Sequence, residues 1–168
     1  MHPFHWFAAA LLLLGSALAQ GREEVRLELK AFLVTSLQQE GRTVERLLPA
    51  LEARPGQVIE YRLEATNTTD RPLSQVALVV PIPTTTRYLE NSAQALQREG
   101  WVLPEFSFDG GQTYGRPPLK RVVRVVENGK EVRKEVEVKP EEYTHARWVI
   151  PQLGPKESVS LRLRAVVR

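Results

Sequence analysis

A strict period-two alternation of apolar and polar side chains constrains this chain more than any other feature. Val25, Leu27 and Leu29 alternate with Arg26, Glu28 and Lys30, and Ile59, Tyr61, Leu63 and Ala65 alternate with Glu60, Arg62, Glu64 and Thr66. Val159, Leu161, Leu163, Ala165 and Val167 repeat the pattern against Ser160, Arg162 and Arg164. Successive side chains of a strand point to opposite faces, so each segment reads as a strand with one buried and one solvated side. Shorter strand candidates lie at residues 43–48, 75–80, 86–89, 105–108, 121–126, 131–138 and 144–150. Turn-formers separate them: Pro55-Gly56, Thr69-Asp70-Arg71-Pro72, Pro81-Ile82-Pro83, Asp109-Gly110-Gly111, Pro117-Pro118, Asn128-Gly129 and Gly154-Pro155. Many short strands, close turns and no sustained 3.6-residue period predict an all-β fold, an antiparallel β-sandwich. Residues 91–100 are left for a short helix or irregular loop, and residues 38–54 read either as containing a strand or as one long connection.

Ahead of the first strand, residues 7–14 form an unbroken small and apolar run, followed by Gly15, Ser16 and the triplet Ala17, Leu18, Ala19. That order is a secretory signal peptide, residues 1–19, with cleavage expected after Ala19. The apolar stretch of roughly 13 residues is short of the ~20 that span a bilayer, so no transmembrane segment is expected after processing; an uncleaved anchor is the competing reading. With no cysteine in the chain, lipidation after the apolar run is excluded. Residues 20–168 then form a single domain, a length that buries roughly 70% of its extended surface. Export places it in an oxidising compartment, yet without cysteine it must stand on packing alone. Arginine outnumbers lysine and Met1 is the only methionine, a thermophile-like composition.

The net charge is only +3, with both signs interspersed, which argues against a nucleic-acid partner. The basic residues concentrate around one predicted hairpin, whose Asn128-Gly129 supplies the positive φ angles of a type I′ turn. Residues 116–139 hold eight Lys and Arg against four Glu, with seven valines interspersed. An exposed or edge hairpin whose charges suppress edge-to-edge association is the favoured reading; a docking face for acidic polysaccharide or lipid headgroups is the alternative.

Catalytic, cofactor-binding and metal-binding residues are not identified. His145 is the only histidine outside the expected signal peptide and lacks a G-x-S-x-G or S-x-x-K companion, so it reads as a half-exposed strand residue. One histidine and no cysteine do not make a zinc site, and Asp109-Gly110-Gly111 lacks the alternating oxygens of a calcium loop; it reads as a tight turn between Phe108 and Tyr114. Glu141 and Glu142, as neighbours on an extended segment, point apart and do not flank one glycosidic bond. Asn67-Thr68-Thr69 is formally a glycosylation acceptor, but reads as a strand end where side chains satisfy backbone groups. Trp101 and Trp148 are expected in the core; exposure of either would point instead to carbohydrate stacking.

The run from Arg54 through Pro55-Gly56 to Tyr61 and Asn67 resembles the PG-x-x-x-x-Y-x-x-x-x-x-N signature of the DUF11 repeat domain of bacterial envelope proteins. The resemblance continues through Val76 and Leu78, the turn Pro81-Ile82-Pro83, residues 84–89 and Asn91-Ser92-Ala93. Residues 106–111 and 143–155 resemble the later part of a single-domain subgroup. Val80 stands where the family often has aspartate, which removes a carboxylate role at that turn. The resemblance implies an immunoglobulin-like sandwich used as a secreted, periplasmic or cell-envelope building block, and it implies no reaction. The expected function is therefore a non-enzymatic exported structural or interaction module. The alternatives are a binding protein for envelope polysaccharide or another exported protein, acting through the basic hairpin or an open sheet edge, and a strand-donating filament subunit.

Overall fold

A computed structural model describes residues 24–168. The expected signal peptide and its cleavage point lie outside the described residues. The strands are β1 (Val25–Gln39), β2 (Arg42–Pro49), β3 (Val58–Asn67), β4 (Leu73–Pro81), β5 (Thr86–Tyr88), β6 (Leu96–Gln97), β7 (Trp101–Val102), β8 (Glu105–Ser107), β9 (Lys120–Glu127), β10 (Lys130–Glu137), β11 (His145–Leu153) and β12 (Ser158–Val167). A single 3-10 turn, Pro140–Glu142, is the only helical element among the described residues. Five strands form one antiparallel sheet in the order β2-β1-β3-β12-β5, and three form another in the order β4-β11-β8. The two pack as a sandwich of the immunoglobulin-like class, while β9-β10 and β6-β7 are separate two-stranded ribbons.

Alternation decides which side chains meet between the sheets. Ile59, Tyr61, Leu63 and Ala65 of β3 and Leu161, Leu163 and Ala165 of β12 are fully buried, as are Leu78 and Val80 of β4 and Ala146, Trp148 and Ile150 of β11. In register, Leu63 lies opposite Leu161 and Tyr61 opposite Leu163, while Trp148 lies opposite Leu78 in the smaller sheet. Each leucine, isoleucine or valine among them contributes about 1.5–3 kcal/mol by leaving water. The Tyr61 ring fills the core on the apolar face of β3, and its hydroxyl is buried without a hydrogen-bond partner. Burial pushes its pKa up to about 12.

The outer face of the larger sheet holds an exception to the alternation. Glu60 belongs to the solvated side of β3, yet its side chain is 1% exposed. It accepts hydrogen bonds from Arg62 Nε at 2.6 Å and Arg164 Nε at 3.1 Å, and Arg164 forks onto Glu45 of β2 at 3.0 and 2.8 Å. β1 and β2 continue beyond the end of β3, since β3 pairs with β1 only as far as Val34 while β2 pairs with it as far as Gln39. Glu45 of β2 thus reaches Arg164 of β12, three places along the sheet. The residues read alternatively as a long connection, 38–54, thus contain the tight turn at Glu40-Gly41 and the whole of β2.

Candidate functional site

The polar turn after β8 gathers most of the chemistry-bearing residues. His145 begins β11 in register with Ser107 of β8, and Asp109 follows two residues later, so a serine, a histidine and an aspartate share one end of the smaller sheet. Their wiring is structural. The buried Ser107 hydroxyl donates to Asp109 Oδ1 at 2.6 Å and accepts from the backbone N–H of Gly111 at 2.9 Å. Asp109 also accepts from the N–H groups of Gln112 and Thr113 at 3.1 and 3.0 Å and from the Thr113 hydroxyl at 2.5 Å. Hydrogen bonds from Ser107 and then Thr113 hold its carboxyl well below the usual carboxylate range. His145 Nδ1 is hydrogen-bonded to Thr144 Oγ1 at 2.9 Å, and desolvation lowers the imidazole pKa against an opposing pull from the Asp109 charge. A triad nucleophile gives its proton to histidine; here the serine proton is committed to the carboxylate. The turn instead returns the chain so that Gly115 bridges Phe106.

Glu141 and Glu142 do not lie on an extended segment as expected; they occupy the 3-10 turn. They hold different arginines, Glu141 near Arg87 at 3.9 Å and Glu142 on Arg121, which also lowers the Glu142 pKa. Asn67 is fully buried and its amide donates to the carbonyls of Arg71, Leu153 and Gly154 at 2.8, 3.1 and 2.9 Å. Its Oδ1 accepts from the Thr69 N–H and hydroxyl. The strand-end reading of the Asn-Thr-Thr triplet therefore holds. Among the described residues, no group of three His, Asp or Glu side chains is placed to hold a metal ion.

The two tryptophans part company. Trp148 is core, with its indole N–H donated to the Gln94 carbonyl at 2.7 Å. Trp101 is 63% exposed, contrary to the expected burial, because β6 and β7 pair through the stretch expected to be helix or loop and turn Val102 inward. Alternation puts Leu103 on the same outward side as Trp101, and Leu103 lines an open cleft of about 360 Å³. Its floor is the stack of Tyr88, Phe106 and Tyr143, with centroids 4.8–5.8 Å apart, and its rim carries Glu90, Asn91 and Arg116.

The β9-β10 ribbon is the second surface. Asn128 and Gly129 have φ of 51° and 75°, and Val125 pairs with Val132 as the turn chemistry requires. The hairpin is exposed, as expected, but it is not an edge of either sandwich sheet. It stands apart as its own ribbon, closed at its base by the Val138 N–H on the Leu119 carbonyl. Val123, Val125, Val132 and Val136 share one face, while Val122 and Val126, 61% and 75% exposed, share the other with Arg124 and Arg133.

No family model matches the chain, and neither curated proteins nor solved structures show a similar sequence or fold.

Proposed function

We propose that this chain is an exported, non-enzymatic module of the bacterial envelope or secreted fraction that works by joining surfaces. The observation that carries the reading is the free-standing ribbon. A two-stranded hairpin is marginal in water without a third strand or a packing partner, and this one presents two faces and two edges. The serine and aspartate of the polar turn are consumed in holding its backbone and the histidine is paired with the Thr144 hydroxyl, which supports the non-enzymatic half of the reading. The similarity to the DUF11 repeat domain supports the setting.

Two tests address it. Mass spectrometry of native protein should find an N-terminus at or near Gln20, and an intact Met1 in mature material refutes processing. A pull-down on purified envelopes should retain the mature chain to the same extent at low and high salt, with little loss when Lys120, Lys130 and Lys134 are all changed to Glu. A second reading, a binding protein for acidic polysaccharide, draws on the net +4 of residues 116–139 and on exposed Trp101. Screened attraction fades over a Debye length of about 8–10 Å, so strong retention lost with salt and with the reversal would establish that reading instead.

A further inference from the structure

We propose that the chain forms a symmetric dimer in which β10 pairs antiparallel with β10 of a second copy about a two-fold axis through Lys134. Two ribbons thereby become one four-stranded sheet. The inference rests on the surface-joining reading and names the partner as the chain itself.

The hydrogen-bond phase of the ribbon fixes which groups are free. Its two-residue turn makes Glu127 and Lys130 the first hydrogen-bonded pair, so Lys130, Val132, Lys134 and Val136 bond to β9. By alternation Glu131, Arg133, Glu135 and Glu137 aim their backbone N–H and C=O outward. Only registers that keep each side chain on its own face are allowed in a continuous sheet. With the axis at Lys134, Arg133 falls opposite Glu135 of the second copy, Glu135 opposite its Arg133, and Val132 and Val136 opposite its Val136 and Val132. An axis at Arg133 sets arginine against arginine, and one at Val132 sets Lys130 against Lys134.

Charge within the ribbon points the same way. Arg133 faces Arg124 directly across the hairpin, a like-charge cross-strand pair. Arg124 is relieved by Glu131 at 3.4 Å, whereas neither Arg133 nor Glu135 forms an ion pair among the described residues. The second copy supplies the missing counter-charge to both. The lysine meeting its own copy at the axis is already neutralised by Glu127, and Glu131, which falls opposite Glu137 of the second copy, is held by Arg124. Pairing through β9 fares worse. Its most complementary register, with Val122 on Val126 and Arg121 on Glu127, centres on Arg124 and lines up four arginines in one lateral row. Edge charges ordinarily block self-association; on β10 the two without an ion pair, Arg133 and Glu135, carry opposite signs, and this register sets each against the other.

The absence of cysteine gives a direct test. In the proposed dimer, residue 134 lies in a non-hydrogen-bonded pair with its own copy, about 4.5 Å between Cα atoms, within disulfide reach. Under mild oxidation Lys134→Cys should give a covalent dimer and Arg124→Cys should not. Sedimentation at roughly 100 μM should show wild-type dimer. Arg133→Glu or Glu135→Arg alone should weaken it about tenfold or more, and the double variant should restore it. Arg133→Glu also removes the clash with Arg124, so a purely structural role predicts a better ribbon and no change in association. A monomeric wild type, cross-linking through residue 124 in preference to 134, or failure of the double variant to rescue each overturns the proposal. A monomer that envelopes still retain would leave the surface-joining reading standing, while a dimer that is neither processed nor retained would remove that reading alone.

Discussion

In β12, Val159, Leu161, Leu163 and Ala165 alternate with polar residues and are buried; β9 instead carries its valines as the adjacent pairs Val122-Val123 and Val125-Val126, one of each pair on either face, and Val126 stays 75% exposed. Both segments form strands, but only β12 marks a single apolar face. The neighbourhood differs too: β12 lies between β3 and β5 with β4 and β11 across the core, whereas the ribbon has no third strand and no opposing sheet. Alternation thus specifies a strand and its two faces, but coverage of the apolar face is decided by lateral partners hundreds of atoms away in the chain.

The comparison is sharpest in a pair of truncations. Tyr61→Ala or Trp148→Ala should cost about 3–5 kcal/mol, as for large buried aromatics, while Val126→Ala should cost less than about 0.5 kcal/mol. Urea unfolding measures both, and comparable losses would mean that the ribbon is part of the core. Next comes the seam joining the two sheets. Asn67→Ala strips three carbonyls, that of buried Leu153 among them, of their donor and should cost about 2 kcal/mol; a loss under about 0.5 kcal/mol would show that water replaces the amide there. Tyr61→Phe separates ring from hydroxyl: removing an unpartnered buried O–H should leave stability unchanged or raise it by up to about 1 kcal/mol, and clear destabilisation would reveal a partner for that oxygen.

The smallest expected effect concerns acid. Because the folded Asp109 pKa is depressed, its contribution is present above the unfolded value near ~3.9 and is lost as pH falls through and below it. Wild type should therefore lose stability more steeply than Asp109→Asn below about pH 4. Parallel acid profiles would show that the turn does not draw on the carboxylate's charge.

Much of this was legible because strands announce themselves by alternation and hairpins by turn residues. Tyr61 and Trp148 in the core, the Asn128-Gly129 hairpin and the Asn67 strand end follow from local chemistry. Glu60 did not, because its place among Arg62 and Arg164, the latter held by Glu45 from another strand, is set by sheet order that no window of sequence contains. Trp101 was misplaced for a related reason: β6 and β7 are two residues each, too short for a period to show, and their pairing alone decides which side faces out. Ser107 escaped notice because its role comes from register, which brings β8 beside β11, rather than from any motif around it.

The amide of Asn67 has one further consequence, for the choice of a cell in which to make the protein. Asn67-Thr68-Thr69 is an acceptor sequence for N-linked oligosaccharide, and attachment to the nascent chain would consume the very nitrogen that later binds Arg71, Leu153 and Gly154. A sugar tree has no room at a fully buried position, so molecules modified during synthesis are barred from the native state. Secretion from a glycosylating eukaryotic host should return only unmodified chains, and Asn67→Gln, which avoids the sugar, would forfeit the short side chain that fits the seam.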